Sequence, residues 1–338
     1  MSANHDEHVH RLHTNDLEMG ATEATAQHTQ RHVVEPPVIS QSRLNFEARR
    51  PRWLRECFAE ALGVFFYCYG GIAPTASFLL NGANAGFSSI FQIGVGYALG
   101  IAFAIIVAAP TSGGHFHPAI TLCFAIFSGF PWRKVPRYII SQIFGAFMAG
   151  MIIMLQYRVQ IVEFQTKVKA AGLPLVSSTG PAAIFTTFPT PNETNQGYLF
   201  ATEFFVDTYI GFVIWACLDP ANPFMTPNVA PFAIGFAYAV NVWGFAPISI
   251  ATNTARDLGT RLMCACFYGR ECFTYKDTSW IYILTNIPAT ILAVSIYELV
   301  FRDNTRRLLG GHAKHEDGED ALAKHLSQAE TAPRNFTK

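Results

Sequence analysis

Two short polar stretches break into an otherwise apolar sequence, and both carry side chains that could handle a small polar solute. One is Thr111-Ser-Gly-Gly-His-Phe-His-Pro-Ala-Ile-Thr121; the other is Ser249-Ile-Ala-Thr-Asn-Thr-Ala-Arg-Asp-Leu-Gly259. Each follows a long apolar run, so each begins at membrane depth. The second sets Arg256 beside Asp257 there. A charged side chain in hydrocarbon costs about 3 kcal/mol on insertion scales unless it faces protein or a water-filled cavity. Paired interruptions marked by Gly or Pro in matching places point to a solute path near the bilayer midplane. The groups expected along it are the Arg256 guanidinium, the Asn253 amide and the imidazole of His117.

His117 and Asn253 each precede an apolar piece, Pro118–Ser128 and Thr254–Phe267, too short to cross a bilayer. Both pieces are expected to dip in and return, because irregular backbone at that depth survives only where it lines a cavity or is buried in protein. Each would turn its N-terminus, with unpaired N–H groups and partial positive charge, toward the midplane. Two such ends facing one another repel cations, the hydrated proton included. At the cap positions, the side-chain N–H groups of His117 and Asn253 are expected to donate to a passing water and so interrupt a proton wire. Pro118 suits a first helical position, where its missing N–H had no partner anyway. Thr254 stands in the corresponding place of the other half, so that end is expected to be held less rigidly. Arg256 is expected in the outer mouth as a donor that also bars cations, with Asp257 complementing the helix end and orienting it.

Glu60 and Glu203 lie near the starts of two apolar runs, each ahead of one polar stretch. They could couple protons, or accept the stranded backbone N–H groups of the dipping loops. Their symmetry favours the second role, and His115 is similarly expected to brace its loop.

The rest of the chain supplies the scaffold. Of 338 residues, 50% are hydrophobic and 14% charged, with Lys plus Arg equal to Asp plus Glu. That balance fits an integral membrane protein and argues against a nucleic-acid partner. Apolar runs long enough to span lie near Trp53–Leu80, Phe87–Ala109, Tyr138–Gln156, Tyr198–Leu218, Val229–Ile250 and Ser279–Phe301. The expected fold is all-α: six transmembrane helices and two re-entrant half-helices in an inverted repeat over residues 51–302. Residues 1–50 and 303–338 are expected to be disordered cytoplasmic tails. His5, His8, His10, His13, His28 and His32 in the first tail could bind metal or sense pH, though a solvated tail is the plainer reading. No apolar segment opens the chain, so no cleaved signal peptide is expected.

Arginines set the orientation. Arg43, Arg49, Arg50, Arg52 and Arg55 precede the first run, Arg133, Lys134 and Arg137 separate the second and third, and Arg302, Arg306 and Arg307 follow the last. The positive-inside rule places all of these, and both termini, in the cytoplasm. The connection from Arg158 to Gly197 is then external, and Asn192-Glu-Thr194 is a candidate glycan acceptor. Asn335-Phe-Thr337 would face the cytosol and stay bare. Most of the seven cysteines lie in or beside apolar runs and read as small packing residues; Cys272 falls outside them.

Taken together, these residues resemble the major intrinsic protein family, the aquaporins and aquaglyceroporins. The family pattern Ser-Gly-x-His-x-Asn-Pro-Ala-x-Thr matches Ser112–Thr121 with His117 for asparagine, and Asn-Pro-Ala-Arg matches Asn253–Arg256 with threonine for proline. Ala119 and Ala255 fill the alanine positions. The resemblance covers residues 53–301 and implies a homotetramer with one pore per subunit; no cofactor and no metal are expected, and the plasma membrane is the expected location. It carries over a selectivity filter of Tyr97, Ile250 and Arg256, with the fourth position at Val242 or Asn241. Val242 is preferred because Ala230–Gly235 aligns without a gap. Neither supplies a filter histidine like that of water-selective members. With Asp257 and the loop Ile184-Phe-Thr-Thr-Phe-Pro-Thr-Pro191, this resembles the glycerol facilitators. The implied function is a passive channel for water and small uncharged solutes such as glycerol, ammonia or hydrogen peroxide. The chief alternative is a proton-coupled transporter of a small polyol; an enzyme would need more than two histidines. The substitution of His117 reads as a stand-in for asparagine in preference to a pH gate.

Overall fold

A backbone in hydrocarbon must satisfy its own hydrogen bonds, and crossing about 30 Å takes about 20 apolar residues of helix. The computed structural model describes residues 39–82, 86 and 88–303. The tail histidines and Asn335 lie outside the described residues. The chain divides into two units, Met1–Pro51 and Arg52–Lys338. In the first, α1 (Gln41–Arg49) occupies part of the segment expected to be disordered. Ser40 caps it by accepting the Arg43 N–H, and Arg43 pairs with Glu47 one turn on at 2.7 Å.

The second unit runs α2 (Arg52–Leu80), α3 (Ile90–Ser112), α4 (Pro118–Phe127), α5 (Val135–Gln156), α6 (Arg158–Ala170), α7 (Gln196–Leu218), α8 (Ala230–Phe245), α9 (Thr254–Tyr268), α10 (Glu271–Thr274) and α11 (Ser279–Phe301). Five of these helices, α2, α3, α5, α7 and α11, are long and apolar enough to span. The sixth expected span is the shorter α8, whose 16 residues rise about 24 Å. Its helix stops before Pro247, which has no N–H to continue the ladder, and the apolar run finishes in turns. The connection from Arg158 to Gly197, expected as plain loop, holds α6 and a 3-10 turn at Pro181–Ile184.

Packing repeats between the halves. Helix α2 packs on α3 and α5, and α7 packs correspondingly on α8 and α11. The halves meet where α3 crosses α8. Each half-helix then packs against the last span of the other half: α4 on α11, and α9 on α5. Small residues permit the close crossings. A Cβ on Gly70 would meet the Gly96 carbonyl oxygen at 2.8 Å, and one on Gly259 would strike the Ile143 carbonyl. Apolar side chains such as Phe58, Leu155 and Phe205 project outward, as a lipid-facing surface requires.

Candidate functional site

The site is built on two loops whose peptides would otherwise be stranded. Glu60 of α2 accepts the His115 N–H at 3.0 Å and the Phe116 N–H at 2.8 Å, and Gln142 Nε2 donates to it at 2.7 Å. Glu203 of α7 accepts the Ala251 N–H at 3.0 Å and the Thr252 N–H at 2.6 Å. Both carboxylates are fully buried. Phe116 and Thr252 hold left-handed φ values of 50° and 62° at equivalent points, immediately before the two helix caps. Non-glycine residues pay for that conformation, and the buried carboxylates hold it in place. His115 braces the first loop, with Nδ1 3.2 Å from Thr121 Oγ1 and its ring stacked on Phe124 at 4.4 Å.

The caps of α4 and α9 bond reciprocally to the opposite loop. His117 Nε2 donates to the Thr252 carbonyl at 2.9 Å, and Asn253 Nδ2 donates to the Phe116 carbonyl at 2.9 Å. His117 Nδ1 accepts the Ala119 N–H at 3.0 Å. A backbone N–H can only donate, so Nδ1 carries a lone pair and the single proton of the neutral ring sits on Nε2. Asn253 Oδ1 similarly accepts the N–H groups of Ala255 and Arg256 at 2.8 and 3.2 Å. The expectation that both caps offer an N–H to a passing water is corrected here. An amide has a second N–H after bonding Phe116, whereas the imidazole has spent its only one on Thr252.

The α9 end is also not loosely held. The threonine in the proline position contributes an N–H and a hydroxyl, and both reach Asn286 Oδ1 of α11, at 3.3 and 2.7 Å. Pro118 opens α4 at its first helical position, and Ala119 and Ala255 are fully buried.

A cavity of about 360 Å³ lies on the Arg256 side, with Tyr97, Val242, Ile250 and Thr252 in its lining. A second, of about 150 Å³, has His115, His117 and Asn253 in its walls. Tyr67 and Tyr238 line both, with ring centroids 5.7 Å apart in an edge arrangement. Sequence reasoning singled out Tyr97 alone among the aromatics, and nothing in the apolar runs distinguishes the other two. Asn241 is buried with its amide donating to the Ala237 carbonyl at 3.1 Å, while its neighbour Val242 faces the larger cavity.

Arg256 is positioned by Nη2 to the Tyr97 hydroxyl at 2.8 Å and Nη1 to Thr187 Oγ1 at 3.0 Å. Asp257 was expected to orient it, but the nearest approach to Arg256 is 3.9 Å. The Asp257 carboxylate instead takes Arg261 as its partner, through Nε at 2.7 Å and Nη2 at 2.9 Å, and accepts Thr186 Oγ1 at 3.0 Å. Arg261 also donates to the carbonyls of Thr187 and Cys272, at 2.8 and 2.7 Å. This buried arginine escaped the sequence reading, although its i,i+4 spacing from Asp257 was the available signal. Asp207, one turn beyond Glu203, is a further buried carboxyl, and neither of its oxygens has a hydrogen-bond partner among the described residues. It lines neither cavity. Asn192 is exposed, and Lys276 Nζ ties the carbonyls of Thr190, Pro191 and Glu193 around it.

Comparison with known proteins gives a consistent picture. The sequence profile described as Major intrinsic protein matches residues 47–297. Aquaporin-3 of Laccaria bicolor is 43% identical over 283 residues, covering 82% of this chain and 86% of that protein. Aquaglyceroporin-2 of Rhizophagus irregularis is 34% identical over 267 residues, covering 78% and 82%. Among solved structures, the aquaglyceroporin from Plasmodium falciparum superposes with a TM-score of 0.64 over 73% of this chain and 96% of its own, at 23% identity, a likeness of fold.

Proposed function

The chain belongs to the major intrinsic protein family, and from that premise we propose a passive channel for water and small uncharged solutes, glycerol among them, that excludes protons and cations. A multi-pass membrane channel for water and small solutes is the common ground of the family. The finer reading is carried by one observation: a single fixed cation, Arg256, held between Tyr97 and Thr187, shares its cavity with the apolar side chains of Val242 and Ile250. A polyol presents hydroxyls and a hydrocarbon edge together, and such a lining meets both. A cation meets a buried guanidinium first and then two helix N-termini, each of which raises its energy.

The arginine pattern supports cytoplasmic termini with the Arg256 cavity outward, the family resemblance supports a homotetramer, and the plasma membrane is the proposed location. Candidate pore residues are His117, Pro118, Ala119, Asn253, Thr254 and Ala255. Tyr97, Val242, Ile250 and Arg256 form the candidate filter, supported by Glu60, Glu203, His115 and Asp257. Asn192 is a candidate glycan site on the outer face.

Stopped-flow light scattering on proteoliposomes tests this. Vesicles with channel should shrink fast in impermeant sucrose and re-swell fast in glycerol. Fast water without accelerated glycerol entry would remove glycerol from the reading. Flux that follows a pH gradient against the solute gradient would replace the channel with the proton-coupled transporter.

A further inference from the structure

The hydrogen-bond network behind Arg256 ends at the carbonyl of Cys272, a residue whose sulfur lies against that of Cys264. Cys264 of α9 and Cys272 of α10 are both fully buried, and their Sγ atoms lie 2.6 Å apart across eight positions of sequence. Gly269, at φ 77°, turns the chain between them. Val176, Ala182 and Phe188 belong with both cysteines to one buried apolar cluster. Cys266, two residues along, is exposed.

We propose that Cys264 and Cys272 are joined by a disulfide in the mature channel, clamping the α9–α10 corner that supports the pore arginine. The inference rests on the orientation proposed above, which puts this corner on the oxidising, non-cytosolic side of the membrane. The bond would form during folding, before the corner buries both sulfurs, by exchange with the disulfide of an oxidised protein dithiol. The Cys272 thiolate attacks that disulfide and releases one donor thiol. Cys264, as thiolate, then attacks the Cys272 sulfur of the mixed disulfide and releases the second. Two protein thiols are oxidised and one donor disulfide becomes two thiols, so electrons and protons balance.

The clamp has a defined reach. The Cys272 carbonyl accepts from Arg261, Arg261 grips Asp257 and the Thr187 carbonyl, and the Thr187 hydroxyl accepts from Arg256. Fixing Cys272 to α9 therefore fixes the far anchor of the chain of bonds that aims the pore cation.

Full-length channel in isolated membranes should be acid-quenched, denatured, alkylated with N-ethylmaleimide without reductant, digested and weighed. The expected product is a Cys264–Cys272 peptide pair lighter by two hydrogens, which separates on reduction, with Cys266 alkylated. Protease access to a C-terminal tag in intact cells reports orientation on the same material. Both thiols alkylated while the tag is protected would overturn the pair itself. Both alkylated while the tag is cleaved would overturn the orientation, and the disulfide with it. A bond from either cysteine to Cys266 also overturns the proposal. Reduction should lower the melting midpoint of the parent by several degrees and leave a Cys264→Ser/Cys272→Ser channel unmoved; an equal drop in both overturns the clamp.

Discussion

His117 Nε2 lies 2.9 Å from the Thr252 carbonyl oxygen, and that bond uses the only proton a neutral imidazole can give. The midplane thus carries one spare donor, on Asn253, where two matched amides would carry two. A water there is held by one fixed hydrogen bond fewer, worth about 1 kcal/mol. His117→Asn should restore the second donor and reduce residual proton leak severalfold relative to water flux, measured in pH-jump proteoliposomes. An unchanged ratio would mean that the midplane donors do not govern proton exclusion.

The same geometry sets the sign of the pH response. Protonating His117 would place an N–H on Nδ1, opposite the Ala119 N–H it now accepts at 3.0 Å. The cap would be lost and a full charge added beside two positive helix ends. Flux should therefore be flat around neutral pH and fall only in acid, and His117→Asn should abolish the fall. The measurement runs from pH 4.5 to 8 with the tails removed from both channels. A fall centred above pH 7 contradicts the argument.

Much of this was legible because membrane depth leaves polar residues few options. Arg256, Asn253 and His117 had to face a polar path, and the apolar runs gave the spans that deliver them. The partners were harder to see. Thr254 read as a missing proline because Asn286, which accepts from both its N–H and its hydroxyl, lies 32 positions away. Asp257 read as the partner of its neighbour Arg256, but adjacent helical residues point apart, while Arg261 one turn on shares its face. Tyr67 and Tyr238 carry no signal beyond being aromatic in an apolar helix. Helix α1 was hidden by the polarity of its flank.

Thr254→Pro should destabilise the channel even though proline fits a first helical position. Asn286 Oδ1 would lose both donors, at a cost of about 1–3 kcal/mol for a buried acceptor. Adding Asn286→Ala should recover part of the loss, because the orphaned oxygen goes with it. Thermal midpoints of the three channels read this directly, and a neutral Thr254→Pro would refute it.

The two glutamates should not tolerate glutamine equally. In Glu203, Oε1 accepts from Thr252 at 2.6 Å and lies 3.1 Å from the Ala251 nitrogen, so one amide oxygen can serve both donors, although the NH₂ then takes the place of the Oε2 that Ala251 meets at 3.0 Å. In Glu60, His115 donates to Oε1 while Phe116 and Gln142 donate to Oε2. Either orientation of a glutamine there sets an NH₂ against an N–H. Glu60→Gln should cost about 2–3 kcal/mol and Glu203→Gln about 1. The reverse order of melting midpoints would show that the loops are held by something else.

The last prediction separates the residue that meets the solute from the residue that aims it. Arg256→Val removes the cation from the larger cavity and should admit cations and protons while neutral flux persists, at little cost to folding. Arg261→Lys keeps the charge but loses the planar fork. A lysine ammonium cannot hold both oxygens of Asp257 together with the carbonyls of Thr187 and Cys272, which Arg261 now does. Weakening one side of a buried ion pair costs up to about 3–5 kcal/mol, so Arg261→Lys should lower the melting midpoint. Released from its anchor, Thr187 should hold Arg256 less tightly, and the cation leak should rise part of the way toward that of Arg256→Val. The two readouts keep the roles apart: Arg256→Val leaks without melting early, and Arg261→Lys does both. An Arg261→Lys channel that melts early yet stays as cation-tight as the parent would confine Arg261 to the fold, with Tyr97 and Thr187 positioning Arg256 without its help.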